Sequence, residues 1–415
     1  MDKETLSNYG WIVICVLVLA VMLALSSPFG SFVATGVKST TQGLFDTNQK
    51  ALNTTGLISV ESQDFNGSIF RNATIPADGT YTVKATGDVL SAGEKFPDAP
   101  ATGDIYEEGD YEYRYNCYYS YNSWNNKETQ NGWGVRVKDT TKSAYGEIIS
   151  EIAGKPVSNM TYSFYNCASL TVAPTIPNSV TNMSNTFNNC TKLTTAPTIP
   201  NGVTVMNCTF WNCTSLTTAP TIPNSVTSMY HTFYNCISLT IAPVIPGSVK
   251  NMCATFINCT NLTTAPTIPD NVTDMSFTFQ GCTSLTTAPT IPNKVTNMSS
   301  TFNGCKSLKT YVGSTDADGD FSNYQIPNSV TNMAGTFWNC SKLTTAPTIP
   351  SKVSNMNSTF RGCTSLTGTI EINANPTSYT YYFLGTTKPI TLTGTSSKLN
   401  DIASQYSNVT VATTP

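Results

Sequence analysis

Apolar residues recur along most of this chain with a period of 23. Cysteine stands at 167, 190, 213, 236, 259, 282, 305, 340 and 363, each step being 23 residues except one of 35. Other columns move in step: Phe three residues before each Cys (Phe164 to Phe360), Met seven before (Met160 to Met356), and Leu three after (Leu170 to Leu366). The unit reads L-T-T-A-P-T-I-P-N-S-V-T-N-M-S-x-T-F-x-x-C-T-x. A unit this short cannot bury its own Leu, Ile, Val, Met, Phe and Cys, so stacked units must share them as ladders down one continuous core. With coils spaced like neighbouring strands, about 4.8 Å apart, nine of them extend on the order of 45 Å. The pattern therefore predicts a mainly β (α+β) solenoid of nine 23-residue coils. Proline cannot donate to a ladder, so the Ala-Pro and Ile-Pro columns fall at bends. The strand candidate is the Val-Thr-x-Met stretch, Val180 to Ser184, and the Thr-Phe-x-x-Cys stretch, with i, i+3 apolar spacing, suits a helical turn.

Other elements flank the periodic region. Thr74-Ile75 and Thr80 to Lys84, separated by Pro-Ala-Asp-Gly, predict a β-hairpin. Alternating aromatic runs at Tyr111 to Tyr115 and Trp133 to Val137 predict a second antiparallel pair. Thr140 to Ile152 carries Tyr145, Ile148 and Ile152 on one helical face. A solenoid's first coil has an open apolar face, so this block serves as its cap. Beyond Ile372 the pattern decays, and Tyr379, Tyr381, Phe383, Ile390, Leu392, Leu399 and Ile402 are expected to close the other end. Near the start, Trp11 to Ala34 is an uncharged, strongly apolar stretch long enough to cross a bilayer of about 30 Å. The expected organisation is an anchor helix and its extension (1–52), a small antiparallel β domain and cap (53–156), the repeat stack (157–375) and a C-terminal cap (376–415). The expected localisation is the cell membrane, single-pass, with the repeats outside the cell.

The repeat columns resemble BspA-type, or Treponema-type, leucine-rich repeats of surface proteins, whose unit is also 23 residues. Leu, Ile-Pro, Val, Met, Thr-Phe and Cys stand where that family has Leu, Ile-Pro, Val, Ile-Gly, Ala-Phe and Cys. One extra residue separates Leu from Ile-Pro, and one is missing between Met and Phe. The resemblance implies a cell-surface binding or adhesion role without a catalytic centre. Separately, the apolar N-terminal stretch, with Pro28 inside it, resembles the first helix of type IV or Flp-like pilins. It departs from them at Trp11 and at Cys15, where the family has Phe or Met and Glu. That resemblance implies the alternative of a pilus- or filament-type subunit.

Composition narrows the chemistry. Charged residues make up 11% of the chain and the formal net charge is -3. No Lys/Arg cluster offers a field to nucleic acid. One histidine, His231, leaves little room for His-based acid/base catalysis or a multi-His metal site. The nine column cysteines point identically, are odd in number and lack zinc spacing, so buried free thiols are expected. Asp316, Asp318 and Asp320 alternate in the insertion before Cys340 and could ligate Ca²⁺ through oxygen, although the EF-hand Gly and distant Glu are missing. Glu107, Glu108, Asp110 and Glu112 read as a solvated strand edge. One column varies while its neighbours stay fixed. Two residues before each Cys stand Tyr165, Trp211, Tyr234 and Trp338, a candidate aromatic ridge for contacting a ligand. The expected function is non-catalytic binding of an extracellular protein or glycan, with no cofactor and no nucleic acid.

Overall fold

The computed structural model describes residues 74–126, 130–314 and 320–412, all within the unit Arg71–Pro415. Before the repeats lies a seven-stranded sheet. Its strands are β1 (Gly79–Thr82), β2 (Val89–Leu90), β3 (Ile105–Glu108), β4 (Tyr111–Tyr115), β7 (Trp133–Val137), β8 (Glu151–Ile152) and β9 (Lys155–Asn159), in the order β2-β1-β3-β4-β7-β9-β8. A separate hairpin, β5 (Cys117–Ser120) and β6 (Ser123–Asn126), packs against β7. This close approach explains Gly134, where a Cβ would lie 2.1 Å from the carbonyl oxygen of Cys117.

β4 and β7 pair antiparallel, Tyr111 opposite Val137, as the alternating aromatic runs predict. The expected hairpin at 74–84 is corrected: β1 pairs with β2 and β3, and Thr74 bridges Lys95 instead. The expected helix at 140–152 is also corrected. Residues 140–150 run irregularly, because Tyr145 is used to cover the first coil. Its ring sits 5.4 Å from that of Phe164, and its hydroxyl donates to the Asp139 carbonyl at 2.7 Å with Cys167 Sγ 3.4 Å away. Nor is the acidic run a solvated edge. Glu112 is buried in the sheet interior, bonded to Arg114 Nε at 2.7 Å and to Arg136.

β9 passes directly into the stack. Asn159 bridges Asn182 in parallel, and equivalent single-residue bridges run through Val205, Ser228, Asn251, Asp274, Asn297, Asn332 and Asn355 to Ser378. The Val180–Ser184 strand shrinks to one such bridge. Its reason lies in the next residues, which alternate their backbone donors. The N–H groups of Met183, Asn185, Phe187 and Asn189 reach the next coil, whereas those of Thr186, Asn188 and Cys190 close turns three residues back. This alternation also replaces the expected helical turn, since a helix would keep every donor within the coil.

The apolar columns behave as the period requires. Met, Phe, Cys and Leu of every unit have zero exposure. The Phe rings stack from Phe164 to Phe360, with centroids 5.3 to 5.9 Å apart. The 35-residue step does not break this ladder, for Phe302 and Phe337 stack at 5.6 Å. Thr precedes Phe because its buried hydroxyl is satisfied by backbone: Thr209 Oγ1 lies 2.7 Å from the Met206 carbonyl and 2.9 Å from that of Met183. The ladder cysteines are free, and Cys213 Sγ–H points at the carbonyl of Phe187, 3.1 Å away. At the far end β10 (Gly368–Glu371), β11 (Ile390–Thr393) and β12 (Val409–Val411) form a parallel sheet, with a one-turn helix at Leu399–Ala403. Phe383 closes the Phe ladder at 6.0 Å from Phe360, whereas Tyr381 points outward.

The membrane expectation is corrected. Among the described residues no helix is long and apolar enough to cross a membrane, and the one α-helix there has five residues. Single-pass localisation at the cell membrane is therefore not supported. The stretch Trp11–Ala34, with its pilin-like features and the filament alternative that rests on them, lies outside the described residues.

Candidate ligand-contact face

Each coil turns twice through left-handed backbone, and the two turns are filled differently. The position just before each Cys is left-handed from Asn166 (φ 62°) to Gly362 (φ 71°), and every occupant is Asn or Gly. These are the residues that tolerate positive φ. From Asn166 to Asn235 the amides form a ladder: Asn189 Nδ2 donates to Asn166 Oδ1 and Asn212 Nδ2 to Asn189 Oδ1, both at 2.7 Å, and Asn235 Nδ2 to Asn212 Oδ1. Gly281 follows Asn258, whose Oδ1 would lie 2.2 Å from any Cβ there.

The second left-handed position, five residues before each Cys, has the same geometry without the same residues. It holds Tyr162, Cys208, His231 and Phe277 at φ 55° to 58°, and Tyr381 at φ 56° in the chain that follows the last unit. A bulky side chain at positive φ costs on the order of 1–3 kcal/mol. Burial does not offset that strain at Phe277 and Tyr381, which are 39% and 58% exposed.

Around this column the aromatics gather. Four aromatic residues are substantially exposed among the described residues: Tyr121, Tyr230, Phe277 and Tyr381. Tyr121 packs on Tyr162 and Tyr165 at 5.0 and 6.3 Å, and Tyr230 precedes left-handed His231, so all four lie on this face. Three of them are themselves left-handed.

The four aromatics picked out by sequence variation flank these, half-buried. Trp211 and Tyr234 stack on one another at 4.3 Å, with His231 4.9 Å from Trp211 and Tyr230 3.9 Å from His231. Tyr165 joins the Tyr121–Tyr162 group at the start of the stack. Trp338 holds the guanidinium of Arg361 at 4.7 Å, which in turn lies 5.7 Å from Tyr381. The structure thus divides the ridge into three groups. The exposed members, Tyr230, Phe277 and Tyr381, were missed in the sequence because they occupy two other columns. The available signal was a bulky residue where sister repeats carry Asn, Ser or Gly.

Comparison with known proteins bears on what these coils are. A family model for the BspA type leucine rich repeat region matches residues 157–277 in six copies. A second, for a Mycoplasma protein of unknown function (DUF285), matches 250–373. The repeats are BspA-type leucine-rich repeats. Among similar solved structures is a leucine-rich repeat protein of T. pallidum, 29% identical, covering 43% of this chain and 84% of that chain, with a TM-score of 0.39. Another is from Bacteroides ovatus, at 20% identity, 70% and 75% coverage and a TM-score of 0.49. A leucine-rich cell surface protein of Faecalibacterium prausnitzii gives 19%, 76% and 99%, and 0.33. No curated protein matches.

Other candidate chemistry gathers no site among the described residues. Asp316 and Asp318 lie outside the described residues. Asp320 accepts from the Ser322 N–H, the Ser322 hydroxyl and the Thr345 hydroxyl, each at 2.8 Å, bonds that hold its carboxyl below the usual range. Among the described residues no group of three or more His, Cys, Asp or Glu could hold a metal. His231 is half-buried within the aromatic group, its Nδ1 has no partner, and burial lowers its pKa. Burial raises the ladder thiols, and that of Cys208 on the face is pushed up to about 11.

Proposed function

We propose that this chain is a non-catalytic cell-surface binding protein, whose nine coils present one variable face to a protein or glycan ligand. One observation carries the reading: the exposed aromatics of the described residues lie along one face, on left-handed or adjacent backbone, and Phe277 and Tyr381 stay exposed there in a strained conformation. Residues held in unfavourable conformations tend to cluster at ligand-contacting sites. The buried columns beside them repeat almost without change, so variation is concentrated where a ligand would touch. The chemistry of the face favours binding over catalysis. A general acid or base must be positioned within hydrogen-bond reach of a reacting group, and this face offers no carboxylate and one imidazole. The test is a glycan and protein array probed with the full chain, followed by Trp211→Ala and Tyr234→Ala. Loss of the array signal with an unchanged melting temperature supports the reading. Signals that survive both substitutions overturn it.

A further inference from the structure

The face has a composition that selects among ligands. It consists of three columns, those that begin at Thr161, Tyr162 and Tyr165 and end at Thr380, Tyr381 and Leu384. Of their thirty residues one is charged, Arg361. Between the aromatics stand amides: Asn185, Asn188, Asn207, Gln280, Asn303 and Asn357, all half-buried.

Several of these amides are oriented by the protein. Asn185 Oδ1 accepts from Asn188 Nδ2 at 2.9 Å, Asn207 Oδ1 from the Ser228 hydroxyl at 2.7 Å, and Asn357 Oδ1 from the Thr380 N–H at 2.8 Å. With the oxygen held, each Nδ2 is left as a donor without a protein partner. Fixed neutral donors beside exposed rings suit a ligand rich in hydroxyl oxygens with apolar C–H patches, and the lack of charge suits one that is itself neutral.

The spacing adds length. Tyr230 and Phe277 stand two coils apart and Tyr381 four coils beyond, with about 4.8 Å per coil. Protein hot spots gather near the centre of one patch, ringed by near-neutral contacts. Here the rings recur along the stack, in groups about Tyr230 and Tyr381 with Phe277 between them, and amides stand among them. Nucleic acid would need Lys or Arg to neutralise phosphates, and the columns supply one Arg.

We infer that the ligand is a linear, uncharged polysaccharide lying along the stack, its sugar rings resting on Tyr230, Phe277 and Tyr381 and its hydroxyls accepting from the Asn Nδ2 groups. This inference rests on the binding reading above and narrows it.

Electrophoresis of the full chain through gels containing a neutral β-glucan, a mannan or a galactomannan tests it, with polygalacturonate as the charged comparison. The expected result is retardation by at least one neutral polymer, insensitive to high salt, with oligosaccharides competing better as they lengthen. Tyr230→Ala and Phe277→Ala should each weaken the retardation about tenfold, a loss of about 1.4 kcal/mol. Phe277→Asn keeps a residue tolerant of positive φ and should weaken it equally, so a folding defect is not the cause. No retardation by any neutral polymer overturns the inference, as does retardation abolished by salt or unchanged in the variants. A protein ligand that depends on Tyr230 and Phe277 would also overturn it, while leaving the broader binding reading in place.

Discussion

The indole of Trp211 lies on the ring of Tyr234 from the next coil, centroids 4.3 Å apart and planes 23° from parallel. Both rings are half-buried and stack outside the core ladder. An aromatic pair of this kind contributes about 0.5–1.5 kcal/mol beyond its buried area. Trp211→Ala should therefore lower stability by only about 1–2 kcal/mol, while reducing ligand binding tenfold or more. Chemical denaturation and a binding isotherm on the same variant separate the two. Equal losses in both would mean that the stack serves folding alone.

Phe233 presents the opposite case. It has zero exposure and stacks between Phe210 and Phe256, each at 5.6 Å. Phe233→Ala leaves a cavity facing both neighbouring coils and should cost about 3–5 kcal/mol. The unfolding midpoint in urea measures it. A cost below about 1 kcal/mol would show that the ladder is not a shared core.

Phe277 should be replaceable at no cost to the fold. It is left-handed at φ 58° and 39% exposed. Asn tolerates that conformation, and relief of the strain is of order 1 kcal/mol. Phe277→Asn is thus expected to match or exceed the parent in melting temperature, whereas Phe279→Asn, at a buried ladder position, should unfold the stack. A clear drop for Phe277→Asn would show that the exposed ring packs usefully after all.

The buried thiols give the fold an alkaline limit. Burial raises the ladder cysteines well above the ordinary value of 9.0. The folded state therefore holds these protons more tightly than the unfolded chain does. Their contribution to stability is complete below pH 9 and is lost as pH rises through the folded values. The melting temperature should fall steadily above about pH 9. Alkylation at neutral pH should mark Cys208 and Cys253, which are half-buried, before any ladder cysteine. Modification of Cys213 in the native state would contradict the burial of the column.

The sequence reveals the stack more clearly than the face, for a physical reason. A column with zero exposure admits few side chains, so Met, Phe, Cys and Leu recur at every coil and announce themselves. Backbone conformation leaves a fainter mark. The Asn/Gly column before each Cys signals left-handed turns, but the parallel column at Tyr162, Cys208, His231 and Phe277 hides the same turn behind residues that rarely adopt it. Tyr230 and Phe277 therefore looked like ordinary variation, while Trp211 and Tyr234 stood out against a fixed background. The strand and helical turn failed similarly. Periodicity locates which residues are buried, but it does not tell which carbonyl each N–H will meet, and here the donors alternate between the coil and its neighbour.

The twelve extra residues between Cys305 and Cys340 leave Phe302 and Phe337 stacked at 5.6 Å, within the range of the other neighbours. Interior registry is thus maintained coil by coil, independently of what the outer turns carry. A lineage of such proteins can lengthen, shorten or re-face itself by duplicating and exchanging whole units. New surface chemistry can then be sampled without a fresh solution to the folding problem.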